Sequence, residues 1–487
     1  MCIMGARFSD RGGQSVFPER SVNFDPMWFR GRRALVMGLG LFGGGAAVTR
    51  FLARLGADVT VTDLRSPRVL APALDSLSGV DVRTVLGRHD EEDFRSADVV
   101  VVNPAVPPSS PFLQIAKRAG ARMESETNLF FQACRSRWIL GVTGSNGKST
   151  TTALLGAMLR SAGFGTFVGG NIGRPLIEEA LEIGEEDRVV LELSSFQLED
   201  LARLRTSPRI GVVTNLTPNH LDRHGTMEAY VEAKKTVFRF QDDRGTAVLN
   251  ADDPATRALA PEAPGETVFF SVEGAPDAAF GLSGGRLFRR HGGAAETLLE
   301  ATELRIPGRF NAANALAAGA AAMAAGAGAQ AVAAGARSFT GLPHRLERVA
   351  ERGGVAWYND SIATTPESAI AALSAFEGGI VLIAGGYDKG LDYGPLCREA
   401  SSRARAVVLM GATAEVLERE LREAGGGAET VRAEGLSDAV EKAASLARPG
   451  DAVLLSPAAA SYDRFLNFQE RGERFREKVL SFLAGGE

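Results

Sequence analysis

Residues 138–159 constrain this chain more than any other stretch. An apolar run, Trp138-Ile-Leu-Gly-Val-Thr143, leads into Gly144-Ser145-Asn146-Gly147-Lys148-Ser149-Thr150 and then into Thr151-Thr-Ala-Leu-Leu-Gly-Ala-Met-Leu159. Strand, glycine loop, Lys-Ser pair and helix, in that order, make a cradle for nucleotide phosphates. The loop's N–H groups face the anion and the helix N-terminus adds partial positive charge. Lys148 can reach the outer phosphates, and the Ser149 hydroxyl can sit on a magnesium ion. The motif is a shortened P-loop, because Val142 stands where the usual spacing puts the first glycine. A plain glycine-rich strand–helix turn would explain the glycines but not the lysine and hydroxyl at the helix start.

A chain of 487 residues is too long for one hydrophobic core, and three domains of ordinary size are expected. Strand-like and helix-like segments alternate almost throughout, which argues for an α/β fold with parallel sheets. The boundaries expected are a polar N-terminal extension at 1–29, a first domain at 30–135, a central ATP-binding domain at 136–340 and a C-terminal domain at 341–487. The alanine-rich tract Asn314 to Ala336 reads as packed helix. With a net charge of -5 there is no electrostatic case for nucleic acid. Three widely spaced cysteines suggest neither a disulfide framework nor a zinc site. No apolar run is long enough to span a bilayer, and the first residues lack a signal-peptide core, so a cytoplasmic protein is expected.

A second glycine loop, Gly38-Leu-Gly40-Leu-Phe-Gly43, follows the strand Ala34–Met37, and Asp63 ends the next strand. This is a dinucleotide fingerprint, and it fits a nicotinamide, a flavin or a pyrophosphate-linked sugar nucleotide equally well. Downstream of the P-loop, Gly169-Gly-Asn171-Ile-Gly173 reads as a substrate loop. Glu192, Ser194 and Ser195 fall at the carboxyl end of a strand, where ligands bind in open sheets. An acid there suits magnesium, which takes one or two carboxylates with phosphate and water oxygens. The stretch Thr214 to His224 ends another strand, and its His220 could complete a metal shell. Lys234-Lys235 lie within a helix, Met227 to Phe240, and a lysine pair on a helix is usually a solvated face.

Taken together and in this order, these motifs resemble the Mur ligases, which build the peptide stem of cell-wall precursors. The resemblance runs from about Arg32 to Phe475. It also draws on Gly341–Glu347, Asn359–Thr364, Gly385–Asp392 and Ser456–Gly472. It implies a Rossmann-like UDP-binding domain, a P-loop ATPase-type domain and a Rossmann-like C-terminal domain. It further implies ATP-dependent addition of D-glutamate to UDP-N-acetylmuramoyl-L-alanine through an acyl phosphate, with ATP and Mg2+ required. By the same resemblance, Gly38, Gly40, Gly43, Asp63 and Arg65 would serve the UDP moiety. Asn171, Ser194 and Gln197 would line the muramoyl-alanine site. Gly144 to Thr150, Asn311, Asn314, Arg345 and Asp360 would hold ATP. Ser149, Glu192, His220 and a carbamylated Lys234 would serve the metal, with Lys148, Glu192, His220 and Lys234 as the catalytic set. Thr364, Lys389, Ser461 and Phe468 would take the incoming glutamate. Closure of the third domain over the second is implied, and the partners are small molecules acting on a monomer.

The chain departs from the family at Ile362, where most of these ligases have lysine, at Ala459 for a usual cysteine and at Leu466 for a frequent lysine. Losing a cation at 362 bears on which enantiomer of glutamate is accepted. An L-glutamate-adding or other Mur ligase is the alternative within the family. A folylpolyglutamate synthase would lack the N-terminal UDP domain. A nicotinamide-dependent oxidoreductase would leave the P-loop unexplained, and a silent nucleotide-binding regulator would not need Lys148, Glu192, His220 and Lys234.

Overall fold

Runs of Val, Ile and Leu without alternation set the architecture, because strands covered on both faces need no polar side. The computed structural model describes residues 24–485, apart from 42, 292–293, 307 and 377. Residues 1–23 of the expected extension lie outside the described residues. Pro26–Phe29 forms a short 3-10 helix whose Phe29 is fully buried.

Three sheets carry the fold. The first has strands β1 (Arg33–Met37), β2 (Asp58–Asp63), β3 (Arg83–Leu86), β4 (Val99–Val102) and β5 (Arg122–Glu124). All are parallel in the order β3-β2-β1-β4-β5. The order reverses between β1 and β4, and a doubly wound sheet opens its ligand crevice at such a point. The second sheet has β6 (Trp138–Thr143), β7 (Thr166–Gly170), β8 (Arg188–Glu192), β9 (Ile210–Val213), β10 (Thr246–Asn250), β11 (Glu266–Ser271), β12 (Phe280–Ser283), β13 (Arg286–His291) and β14 (Ala294–Glu300). Its order is β14-β13-β12-β11-β10-β9-β6-β8-β7, with the P-loop strand β6 between β9 and β8. The third has β15 (Glu347–Arg352), β16 (Val355–Asn359), β17 (Ile380–Ala384), β18 (Ala404–Leu409), β19 (Glu429–Arg432) and β20 (Ala452–Leu455), in the order β15-β16-β20-β17-β18-β19.

Two features add to the all-parallel expectation. Strands β12, β13 and β14 pair antiparallel, as do β15 and β16. The β13–β14 pair is held by charge across strands, Arg286 to Glu300 at 2.9 Å and Arg289 to Glu296 at 2.6 Å. The alanine tract is two helices, Arg309–Ala324 and Ala329–Ser338. Between them Gly326 takes a left-handed φ of 95°, which ends the first helix. The sheets fall into two compact units. One holds the first two sheets and residues 313–336, the other residues 301–312 and 337–487.

Candidate active site

The glycine loop of the first unit is pinned from beneath. Ser145 donates from Oγ to the Thr217 carbonyl at 2.8 Å, accepts from Thr217 N at 2.9 Å and meets the Tyr230 hydroxyl at 3.0 Å. Asn146 N donates to Asn215 Oδ1 at 2.9 Å. Gly147, at φ 80°, caps the helix Lys148–Ser161. The first-turn N–H groups of that helix, including Ser149 and Thr150, have no acceptor within it and stand ready for an anion. Lys148 Nζ donates to the carbonyls of Gly144 (3.0 Å) and Ser145 (2.8 Å).

The lysine pair of the helix Met227–Arg239 is not a solvated face. Lys235 is buried between Glu232 (2.5 Å) and Glu262 (2.7 Å). Lys234 is 2% exposed and its Nζ donates to Thr143 Oγ1 (3.2 Å) and the Gly144 carbonyl (2.9 Å). Close packing brings it there. A Cβ on Gly211 of β9 would lie 2.5 Å from the Val237 carbonyl, so only glycine lets this helix sit against the sheet. Burial pushes the Lys234 ammonium down to about 6, with repulsion from Lys148 adding and Glu192 opposing.

Glu192 ends β8 and is 2% exposed. Asn171 Nδ2 donates to its Oε1 at 2.8 Å, while its buried Oε2 has no partner. Ser194 and Gln197 form a capping box on the helix Ser195–Arg203, so their residue types are also explained locally. His220 is exposed, in a left-handed conformation (φ 54°), with its ring 5.2 Å from Phe196.

In the first sheet, Gly38, Gly40 and Gly43 all have positive φ. Asp63 is buried. Gly40 N donates to its Oδ2 at 3.2 Å and Arg65 N to its Oδ1 at 2.9 Å, with the Arg65 guanidinium 3.9 Å away. A cavity of about 540 Å³ is lined by Gly38, Asn171, Ser194, Gln197, His220, Lys148 and Lys234. Thus one hollow gathers residues from both glycine loops and from the central clusters. Asn103, Glu126, Arg223 and Tyr230 share its wall. None was singled out from the sequence. Asn103 carried a signal, since it follows β4 at the switch point, and its Nδ2 donates to the Gly38 carbonyl at 3.3 Å. Burial pushes the Glu126 carboxyl up to about 7.

The helix Arg309–Ala324 presents Asn311 and Asn314, both buried, one turn apart. Asn314 Oδ1 accepts from Thr151 Oγ1 at 3.2 Å, on the P-loop helix. In the second unit, Asp360 is buried below Ser456, whose Oγ donates to it at 2.8 Å, and Leu346 N donates at 3.1 Å. Burial raises its carboxyl to about 7. The Nε of neighbouring Arg345 is buried without a partner. Thr364 and Phe468 are half-buried, Ser461 is 2% exposed and Lys389 is exposed. They sit on loops after β16, β17 and β20 and at the start of the helix Phe468–Ala484.

Three family models match the chain. "Mur ligase MurD-like, N-terminal domain" covers residues 32–125, "Mur ligase middle domain" 142–322 and "Mur ligase, glutamate ligase domain" 344–459. A Roseiflexus sp. (strain RS-1) UDP-N-acetylmuramoylalanine–D-glutamate ligase is 46% identical over 94% of this chain and 100% of its own. The ligase of that name from Symbiobacterium thermophilum is 45% identical over 92% and 97%. Among solved structures, UDP-N-acetylmuramate-alanine ligase from Thermotoga maritima shares the fold, with a TM-score of 0.61 at 20% identity over 93% and 100% of the chains. A MurF ligase from Thermotoga maritima, solved in complex with ADP, has a TM-score of 0.56 at 19% identity over 88% and 96%.

Proposed function

The chain belongs to the Mur ligase family, and we propose on that premise that it joins D-glutamate to UDP-N-acetylmuramoyl-L-alanine at the expense of ATP, in peptidoglycan precursor synthesis. The observation that carries this is the full-length match to relatives of that name at 45–46% identity. The 540 Å³ cavity beside the P-loop supports it, because one ligand there can touch the first glycine loop and the phosphate loop together. A nicotinamide enzyme fits less well: both Asp63 oxygens already accept backbone N–H groups, and the P-loop would have no task.

In the reaction, a carboxylate oxygen of the alanine moiety attacks the γ-phosphorus of ATP. A P–O bond forms and ADP leaves. The neutral amine nitrogen of glutamate then attacks the acyl carbon, a C–N bond forms, the nitrogen gives up a proton to solvent, and the C–O bond to phosphate breaks. Lys148 stands at the loop mouth to offset charge on the transferring phosphoryl group, and the helix N–H groups hold the remaining phosphates. Asn311, Asn314, Arg345 and Asp360 are assigned to the nucleotide, and Gly38, Gly40, Gly43, Asp63 and Arg65 to the UDP moiety. Asn171, Ser194 and Gln197 are assigned to the muramoyl-alanine. Thr364, Lys389, Ser461 and Phe468 take the glutamate, Lys389 and Thr364 meeting one carboxylate.

The donor set suits Mg2+. Glu192 Oε2 is buried and unpartnered, and a lone carboxylate oxygen beside nucleotide phosphates is the kind of ligand Mg2+ takes. Ser149, Glu192, His220 and a carbamylated Lys234 would hold it, and when bound it supplies charge neutralisation at the phosphates. A Lys234 amine held at about 6 is neutral at pH 7 and can attack carbon dioxide. An N–C bond forms, a proton leaves to solvent, and the cation becomes an anion with two oxygens. No described helix is long and apolar enough to cross a membrane. The proposed role with nucleotide-linked small-molecule substrates is the ground on which the chain is assigned to the cytoplasm, as a monomer.

The acyl-phosphate route is tested with substrate carrying heavy oxygen in the alanine carboxylate. One labelled oxygen should appear in released phosphate. Unlabelled phosphate would reject the route.

A further inference from the structure

Arg471 is the most enclosed charge of the second unit that no substrate assignment uses. It lies in the helix Phe468–Ala484 and is 1% exposed. Its Nη1 donates to the carbonyls of Ala459 (3.0 Å) and Ala460 (3.2 Å). Its Nε donates to Ser361 Oγ at 3.0 Å and its Nη2 to the Ser361 carbonyl at 2.9 Å. Ser361 Oγ passes a hydrogen bond on to the Phe468 carbonyl at 2.8 Å. The Ala460 carbonyl also accepts from Tyr387 N at 2.8 Å. A Cβ on Gly386 would fall 3.0 Å from Nη1 and 2.2 Å from the Ala460 carbonyl, so the Gly386–Tyr387 segment packs directly on this cluster.

Each segment that meets there carries one acceptor-pocket residue. Ser361 is three residues before Thr364, Tyr387 two before Lys389, Ala460 one before Ser461, and Phe468 is bonded itself. We propose that Arg471 is the positioning residue of the acceptor pocket, its single guanidinium setting the mutual placement of the four segments that carry Thr364, Lys389, Ser461 and Phe468. This rests on the reading that those four residues bind glutamate.

The chemistry explains why arginine stands here. Its planar fork has five donors in fixed directions, and the hydrogen bonds above use Nε, Nη1 and Nη2 together; an ammonium has no such fork. Among the described residues its hydrogen bonds go to carbonyl and hydroxyl oxygens, and the Asp463 carboxylate attracts it through space without a direct bond. Burial lowers the guanidinium to about 10, which still leaves it charged at neutral pH. In a trans peptide, C=O and N–H point opposite ways. Fixing the Ala460 carbonyl on the guanidinium therefore turns the Ser461 N–H away from it.

The test is steady-state kinetics on the intact enzyme with Arg471→Lys and Ser361→Ala, using Lys389→Ala and Ser461→Ala as references. Arg471→Lys keeps the charge but loses the fork, and Ser361→Ala cuts the link to Phe468 with a small change in volume. Both should raise the KM for D-glutamate, Arg471→Lys by at least about tenfold, with the KM for ATP and for the UDP-substrate within about twofold. An unchanged D-glutamate KM in Arg471→Lys, with both references raised, overturns the role of Arg471 and keeps the pocket. Unchanged values in both references overturn the pocket reading itself. An equal rise for all three substrates overturns positioning in favour of plain stability. Where Arg471→Lys does not fold, Ser361→Ala decides: a selective rise supports the proposal and no rise overturns it.

Discussion

An amine held at about 6 is mostly neutral at pH 7, and only a neutral amine reacts with carbon dioxide. Lys234 is such an amine because it is buried beneath the glycine loop beside Lys148. Below pH 6 it protonates and the carbamate is lost, so activity should fall on the acid side of that value. Stripping carbon dioxide at pH 7 should cost activity, and bicarbonate should restore it. Full activity in stripped buffer would remove the carbamate from the account. The sign for stability follows from linkage. In the unfolded chain the lysine keeps its ordinary value of 10.5 and binds a proton that the folded, unmodified chain does not hold above about 6. Stability of the unmodified protein should therefore rise with pH from 6 toward 10, and Lys234→Met should flatten that rise. Lys148→Ala should lower turnover by roughly 10²–10³-fold, in the range of a lost oxyanion donor, while UDP-substrate binding stays intact by calorimetry. Normal turnover would sink the P-loop assignment. The sequence marked Lys148 by its motif, but spacing alone put Lys234 on a solvated face. Its burial depends on Gly211, distant in sequence, letting the helix lie close to β9.

At the level of elements, the P-loop turn depends on a conformation only glycine adopts easily. Gly144 has a φ of 144°, and a Cβ there would lie 1.9 Å from Thr214 Oγ1. Gly144→Ala should cost about 1–3 kcal/mol of stability, read by denaturant unfolding, and weaken ATP binding. Unchanged stability would show that the loop relaxes. Ser194→Ala removes the cap of the helix Ser195–Arg203, a loss of about 1 kcal/mol, or roughly 2–4 °C in Tm. In the sequence Ser194 and Gln197 stood out only as substrate residues and not as a cap, while the alternation of strand-like and helix-like segments made the parallel sheets legible. Strands β13 and β14 were not, because their stability comes from cross-strand charge pairs that no apolar periodicity records. The alanine tract read as helix, yet its division at Gly326 is a backbone event that composition does not show.

For the whole molecule, three sheets in two compact units divide the substrates. Residues assigned to UDP and the muramoyl group lie in the first unit, and those assigned to glutamate in the second. Hydrogen exchange with the UDP-substrate alone should therefore slow in residues 33–300 and remain unchanged in 337–485. Equal protection of both would contradict this division. At a hundredfold excess over Kd the ligand should stabilise the protein by about 2.7 kcal/mol. The order of motifs along the chain revealed the family, because several clusters in a fixed order are far more specific than any one. Stereochemistry was not legible, since Ile362 replaces the usual lysine and is half-buried in the second unit. The most direct measurement is phosphate release by the purified protein with ATP, Mg2+ and UDP-N-acetylmuramoyl-L-alanine, adding D-glutamate, L-glutamate or neither. Release with D-glutamate alone is expected. Release only with L-glutamate, or none with either, would contradict the account.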